Sequence, residues 1–236
     1  MSSNKLDRLR ENLLRSYIHV SRGIGIIAVI FPVAVYFTGR AFGISLQDSL
    51  SHYFFASSQG LTDPFDHPAR ILFVGGLFAI GTFLFLYKGF SRSENVLLNV
   101  AGVLAIGVAV LPMGMWKVAG FFTPHAACAV SMFLCIIYIA IWGKRDSLDL
   151  LRDPKRKAAY VKTYNIIAGL MASFILIALV LNFLFGTGTS IVFWIECAGI
   201  WVFAAFWLVK AKELRELIDQ ESRAGTLHPH PQPAVS

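Results

Sequence analysis

An ionisable side chain at membrane depth is costly and is kept where it does something. The run SIVFWIECAGIWVF holds one such residue, Glu196, inside an otherwise apolar stretch. Six residues inward from Ser190, at about 1.5 Å each, put its carboxyl some 9 Å below the nearer surface, facing the bundle and either neutral or paired. The same side of the chain collects His52, Asp63, Asp66, His67, Arg70 and His125, with Cys128 slightly deeper. His125 and Cys128 stand three apart and share a helix face, while Asp66 in DHPAR is placed to N-cap the apolar run that follows it. Imidazole and carboxylate suit zinc, and three protein ligands plus a water make a catalytic site. His52, His67 and His125 are therefore the candidate metal ligands, zinc the candidate cofactor, and Ser51 and Asp66 the candidate catalytic groups. The chain carries no HExxH, no HxxxH within a helix and no CxxC, so these residues come from separate segments that only the fold can bring together. The plain alternative gives His52 and His67 ordinary interfacial roles and Asp66 a capping role.

Two further polar residues stand out. Arg70 sits just inside an apolar run and calls for a partner, Asp66, Glu196 or a lipid phosphate, unless it snorkels to the interface. Asn99 in LLNVAG is a buried polar candidate whose ordinary role is to bridge helices. His19 has no second histidine at its depth, which disfavours a two-histidine haem carrier, and no other cofactor-binding motif is present.

The elements that must position these residues follow from composition. Of 236 residues, 56% are hydrophobic and 15% charged, and the mean hydropathy of +0.62 excludes an ordinary water-soluble globule. Six runs, at about 17–38, 69–88, 96–116, 124–142, 164–185 and 190–209, are each long and apolar enough to span a bilayer. The expected fold class is all-α, a polytopic six-helix transmembrane bundle. Five Lys and Arg lie before or just inside the first run, two between the second and third, seven between the fourth and fifth, and four after the sixth, against three, Arg40, Arg70 and Lys117, on the opposite side. That asymmetry predicts cytoplasmic N- and C-termini and accounts for the net charge of +7 without a nucleic-acid partner.

The chain then divides into a cytoplasmic amphipathic segment, 1–16, a membrane domain, 17–209, and a cytoplasmic charged helix with a disordered Pro-rich tail, 210–236. The expected partners are the bilayer itself and, at the mixed-charge segment 144–162, anionic lipid headgroups at the inner face; no protein partner is indicated. That segment suits a short surface helix and a turn around Pro154, and the long outer connection 40–68 suits an interfacial helix over Ile44–Phe55. Small residues Gly75, Gly76 and Ala79, then Ala101, Gly102, Ala105 and Ala109, predict close packing of helices 2 and 3. Pro112 is expected to bend the outer end of helix 3.

From about Ser49 to His125 the chain resembles a bacterial family of uncharacterised six-helix inner-membrane proteins. The resemblance is carried by Ser49, Ser51, Tyr53, Arg70, the FVG of Phe73 to Gly75, the YKG of Tyr87 to Gly89, Glu94, Asn99, Ala101, Gly102 and Pro112. It implies a multi-pass protein of the bacterial inner membrane and brings no activity with it. More distantly, a serine before a helix followed by an aspartate and histidines near one membrane face is similar to the alkaline ceramidase and adiponectin-receptor-type membrane hydrolases. That similarity implies Ser51, Asp66 and His125 around a zinc-bound water attacking a lipid amide or ester. This chain has six spans where those enzymes have seven, and it lacks their late-helix histidine pair.

Three functional readings remain. A non-enzymatic structural or partner-binding membrane protein comes first, because nothing polar forms a chain across the bilayer. A metal-dependent lipid amide or ester hydrolase with an outward-facing His/Asp site follows, and then a small transporter or channel using Glu196.

Overall fold

The computed structural model of the chain describes residues 3–57, 67–113, 123–143, 147–185 and 190–223. Helix α1 runs over Ser3–Ala41 and a short 3-10 helix over Leu50–Phe54. Then come α2, Pro68–Leu86, and α3, Arg92–Val110. Helix α4, Pro124–Tyr138, continues through a π turn to Gly143, and α5, Pro154–Phe185, and α6, Ile191–Arg223, complete the chain. Each of the six α-helices contains a stretch long and apolar enough to cross a bilayer, so the protein is an all-α, multi-pass membrane protein. No strand occurs among the described residues.

The boundaries follow local chemistry. Pro68 and Pro124 open α2 and α4 at a position where a missing backbone N–H costs nothing. Thr123 caps α4 by accepting from the Ala126 N–H at 3.2 Å, and Ser91 caps α3 by accepting from the Glu94 N–H at 3.3 Å. The Glu94 carboxylate reaches back to accept from the Phe90 N–H at 2.8 Å, a variant of the capping box.

Several boundaries differ from those read along the chain. Pro112 ends α3 where a bend was expected: the residue before a proline is driven out of the helical region, and Leu111 is extended at φ −90°, ψ 109°. The interfacial helix shrinks to Leu50–Phe54, since Ile44–Gln47 is non-helical. Helix α1 begins at Ser3, so the polar N-terminal segment and the first span are one helix. Pro154 starts a helix that runs unbroken into the fifth span, because proline is compatible with a first turn.

Each helix packs on its neighbours in sequence, and α6 returns to pack along α1, which closes the six into a ring in chain order. Outward-facing Ile26, Phe37, Ile71, Leu86, Leu176 and Phe183 are exposed, a surface that suits lipid and would be unfavourable in water. Without a hydrophobic force between helices in lipid, close backbone approach must hold them. At the α2–α3 crossing a Cβ on Gly102 would lie 2.6 Å from the Gly81 carbonyl oxygen, and one on Gly81 would lie 2.7 Å from that of Gly102. The expected small-residue contact is thus present, with Gly81 as its partner on α2. Gly76 instead accommodates the Phe31 ring of α1, and Gly75 has open space.

The charged stretch after the sixth span is a direct continuation of α6, and two of its charged residues, Lys210 and Glu213, are buried. Lys210 Nζ donates to Ser147 Oγ at 2.8 Å and pairs with Glu213 Oε1 at 3.4 Å, while the Tyr164 hydroxyl donates to the other oxygen of Glu213. Arg156 pairs with Glu216 at 3.2 Å. This network fastens the connection before α5, and the start of α5, to α6 at the basic end of the ring.

The glycine pattern gives a signed prediction. Gly102→Ala places a methyl against backbone that cannot move aside, an overpacking cost of about 1–3 kcal/mol. Gly75→Ala meets nothing within 4 Å and gains helix propensity of about 1 kcal/mol. Thermal unfolding in detergent should show the first variant less stable than wild type and the second equal or more stable.

Candidate functional site

At the end of the ring opposite the basic segments, the 3-10 helix lies across the tops of the α-helices. Ser49 starts it, accepting from the His52 N–H at 3.3 Å, and Tyr53 anchors it, fully buried and packed tilted on Phe193 with ring centroids 6.0 Å apart. Gly39 on α1 leaves room for that tyrosine: a Cβ there would lie 2.5 Å from Tyr53 Cε1.

Two ionisable residues of opposite sign hold this helix at its two ends. Glu196 of α6 accepts from the Leu50 N–H at 2.7 Å, placing a carboxyl group on the otherwise unsatisfied donors of a helix N-terminus. Arg70 of α2 donates through Nε to the carbonyl of Phe54 and lies over the Phe54 ring at 4.6 Å, supplying a cation to the unsatisfied acceptors of the C-terminus. The anticipated pairing of Arg70 with Glu196 is therefore not formed, because each finds a backbone partner in the segment between them. His67 acts similarly, with Nδ1 3.0 Å from the Ala56 carbonyl oxygen just beyond the 3-10 helix.

The clamped helix presents Ser51 to α4. Ser51 Oγ lies 2.9 Å from His125 Nε2, and His125 Nδ1 lies 2.9 Å from the carbonyl oxygen of Leu111. A carbonyl only accepts, so Nδ1 carries a proton. In the neutral imidazole this leaves a lone pair on Nε2, to which the Ser51 hydroxyl donates. The arrangement is that of a nucleophile, a base and an orienting acceptor, with a backbone carbonyl in the orienting place. That carbonyl is free for His125 because α3 stops ahead of Pro112. His125 itself is buried, one residue behind the Pro124 that opens α4.

This pair opens on a cavity of about 710 Å³ enclosed by the ring, within the usual range for small-molecule sites. Its polar wall is gathered at one end: Asp48, Ser49, Ser51, His52, Thr123, His125 and Glu196. The remaining walls are apolar and come from all six helices, among them Phe31, Phe73, Val108, Phe133, Phe174 and Phe203. On α6 the lining runs from Val192 to Phe203, which at 1.5 Å per residue is a depth of about 16 Å. Neighbouring helices α4 and α5 touch least, and both contribute to the wall.

The sequence candidates fall into three groups. Ser51, His52, His125 and Glu196 meet around the cavity. Arg70 and His67 support the 3-10 helix from behind, and Asn99, on α3, does not line the cavity and has its buried Oδ1 without a hydrogen-bond partner. Asp66 lies outside the described residues, and the N-cap position of α2 is held by His67.

The donors do not fit zinc. Both His125 nitrogens are engaged, His67 Nδ1 faces Ala56, and no three His, Cys, Asp or Glu side chains assemble a metal site among the described residues. Asn99 does not share the cavity wall with Glu196. Sequence reading passed over the Leu111 carbonyl, Asp48 and Thr123. The signals for the first and last were the Leu-Pro step at 111–112 and the Thr-Pro step at 123–124, which free a carbonyl and start a helix respectively. No match was found between this chain and any protein-family model, curated protein or solved structure.

Two predictions follow from this geometry. Burial pushes the His52 imidazole below its ordinary 6.5, against an opposing pull from Asp48. The unfolded chain therefore binds this proton more readily, and stability falls as pH drops below about 6.5 until the folded-state value is passed. His52→Gln should flatten that part of a melting-temperature profile against pH. Glu196→Gln retains an acceptor for the Leu50 N–H and should fold normally, whereas Glu196→Leu leaves the donor unpaired and should cost about 1–3 kcal/mol in thermal unfolding.

Proposed function

We propose that the protein takes an amphiphilic acyl ester or amide from the bilayer into the helix ring and cleaves or transfers its acyl group, with Ser51 as nucleophile and His125 as general base. The observation that carries this reading is the hydrogen-bond chain from Ser51 through His125 to Leu111, at the polar end of a cavity that is otherwise apolar. As Ser51 Oγ attacks the substrate carbonyl carbon, its proton passes to His125 Nε2. The Nδ1–H stays hydrogen-bonded to the Leu111 carbonyl, which holds the imidazolium in place. Collapse of the tetrahedral intermediate expels the alcohol or amine, which takes the proton from Nε2. Water, deprotonated by the same nitrogen, then attacks the acyl-serine and restores the hydroxyl. Positioned proton transfer of this kind contributes a factor on the order of 10²–10⁴.

The concentration of Lys and Arg at the opposite end supports cytoplasmic termini. In the bacterial inner membrane that orientation opens the site towards the periplasm and lays the basic segment 144–162 against anionic headgroups. A second reading, binding of an amphiphile without turnover, rests on the cavity alone and corresponds to a partner-binding, non-enzymatic protein.

An alkyl fluorophosphonate separates the two, because an activated serine attacks its phosphorus and expels fluoride. Protein in lipid nanodiscs should acquire one adduct on the peptide bearing Ser51. Ser51→Ala should abolish labelling, and His125→Ala should slow it by about a hundredfold. No adduct on wild-type protein at pH 8, or equal labelling of His125→Ala, would sink the catalytic reading and leave binding without turnover.

A further inference from the structure

The polar end of the cavity carries a charge pattern that selects among amphiphiles, and this selection rests on the proposed placement of a substrate in the ring. Asp48 and Glu196 both line the cavity, and neither Lys nor Arg does among the described residues. Arg70 on α2 is committed to the Phe54 carbonyl and ring on the far side of the 3-10 helix. A phosphate or carboxylate head entering here would lose its water and meet carboxyl groups in place of a cation, a desolvation that no Lys or Arg in the described wall offsets. A head of hydroxyl groups or a cationic amine meets the opposite situation. Asp48 and Glu196 accept hydrogen bonds or pair with the charge, and Ser49 and Thr123 supply neutral partners. The apolar walls below take an alkyl chain of any headgroup equally, so the discrimination must come from this end.

We infer that the ligand is an amphiphile with a neutral or cationic head, such as an acyl ester or amide of a polyol or an amine, and that lipids with anionic heads are excluded. Glu196 thereby has two roles, holding the Leu50 N–H and offering an acceptor at the mouth, while the Asp48 side chain puts its negative charge at the mouth and also pulls on the His52 imidazole. The Asp48 backbone carbonyl accepts from the Phe193 N–H at 3.0 Å, so removing the side-chain charge leaves that tie intact.

Native mass spectrometry of the full chain, released from detergent and titrated with three lipids of equal chain length, tests this. The probes are a monoacylglycerol, an alkyltrimethylammonium and an alkyl phosphate. The neutral and cationic probes should bind one per chain, at least tenfold more tightly than the alkyl phosphate. Asp48→Asn combined with Glu196→Gln, which keeps both backbone ties, should bring the three within about threefold of one another. Equal or tighter binding of the alkyl phosphate to wild-type protein overturns the inference, as does selectivity that survives the double variant, or saturable binding of none of the three. Fluorophosphonate labelling of Ser51 is a separate readout: selective binding without labelling removes the catalytic reading alone, and labelling without charge selectivity removes this inference alone.

Discussion

The Leu50–Phe54 helix is too short to stand alone, and it is the hold on its two ends that gives this protein a site. A five-residue 3-10 helix has almost no internal hydrogen bonding, so its orphan donors and acceptors must be met from outside. Glu196 meets the first donor and Arg70 the last acceptors. Each therefore explains the other's retention in an apolar environment, although they never touch. What the clamp fixes is the direction of Ser51: one turn of slack in the connection from α1 to α2 would turn the hydroxyl away from His125 and into lipid or solvent.

The His125 imidazole is fixed by a different device, the interruption of a helix. Had α3 continued past Val110, the Leu111 carbonyl would be satisfied within its own helix and the His125 imidazole would lack an acceptor for Nδ1–H. Pro112 stops the helix, and Thr123 with Pro124 starts the next one at the point where its second residue faces that carbonyl. A backbone acceptor fixes the tautomer as a carboxylate would, with no extra charge to bury in a membrane interior.

These devices also mark how far the sequence could be read. The six spans, their all-helical class and the close α2–α3 contact were legible, because hydrophobic run length and small-residue spacing depend on local chemistry alone. Ser51, His125 and Glu196 were legible one by one as polar candidates, but not as one site, since they come from three separate segments that only the fold brings together. Their partners were not legible. Glu196 was one of three partners open to Arg70 beside Asp66 and a lipid phosphate, but in the fold Arg70 and Glu196 are both drawn to backbone groups that no side-chain pattern announces. The histidines looked like metal ligands because imidazole is the commonest such donor, whereas His125 spends one nitrogen on the Leu111 carbonyl and the other on Ser51. Lys210 and Glu213 looked like solvated helix charges, and only the docking of the Ser147 segment shows why they are buried.

The ring order of the helices has a consequence for biogenesis. Because the helices pack in chain order and close only when α6 meets α1, the first five can enter the membrane one after another, each against its predecessor, while the interior stays open to lipid on one flank. Glu196 arrives with the last helix, and until it does the Leu50 donor has no acceptor and the serine-bearing turn has no fixed orientation. The polar site is thus completed by the last helix, which brings both the acceptor for the Leu50 N–H and the final wall of the cavity.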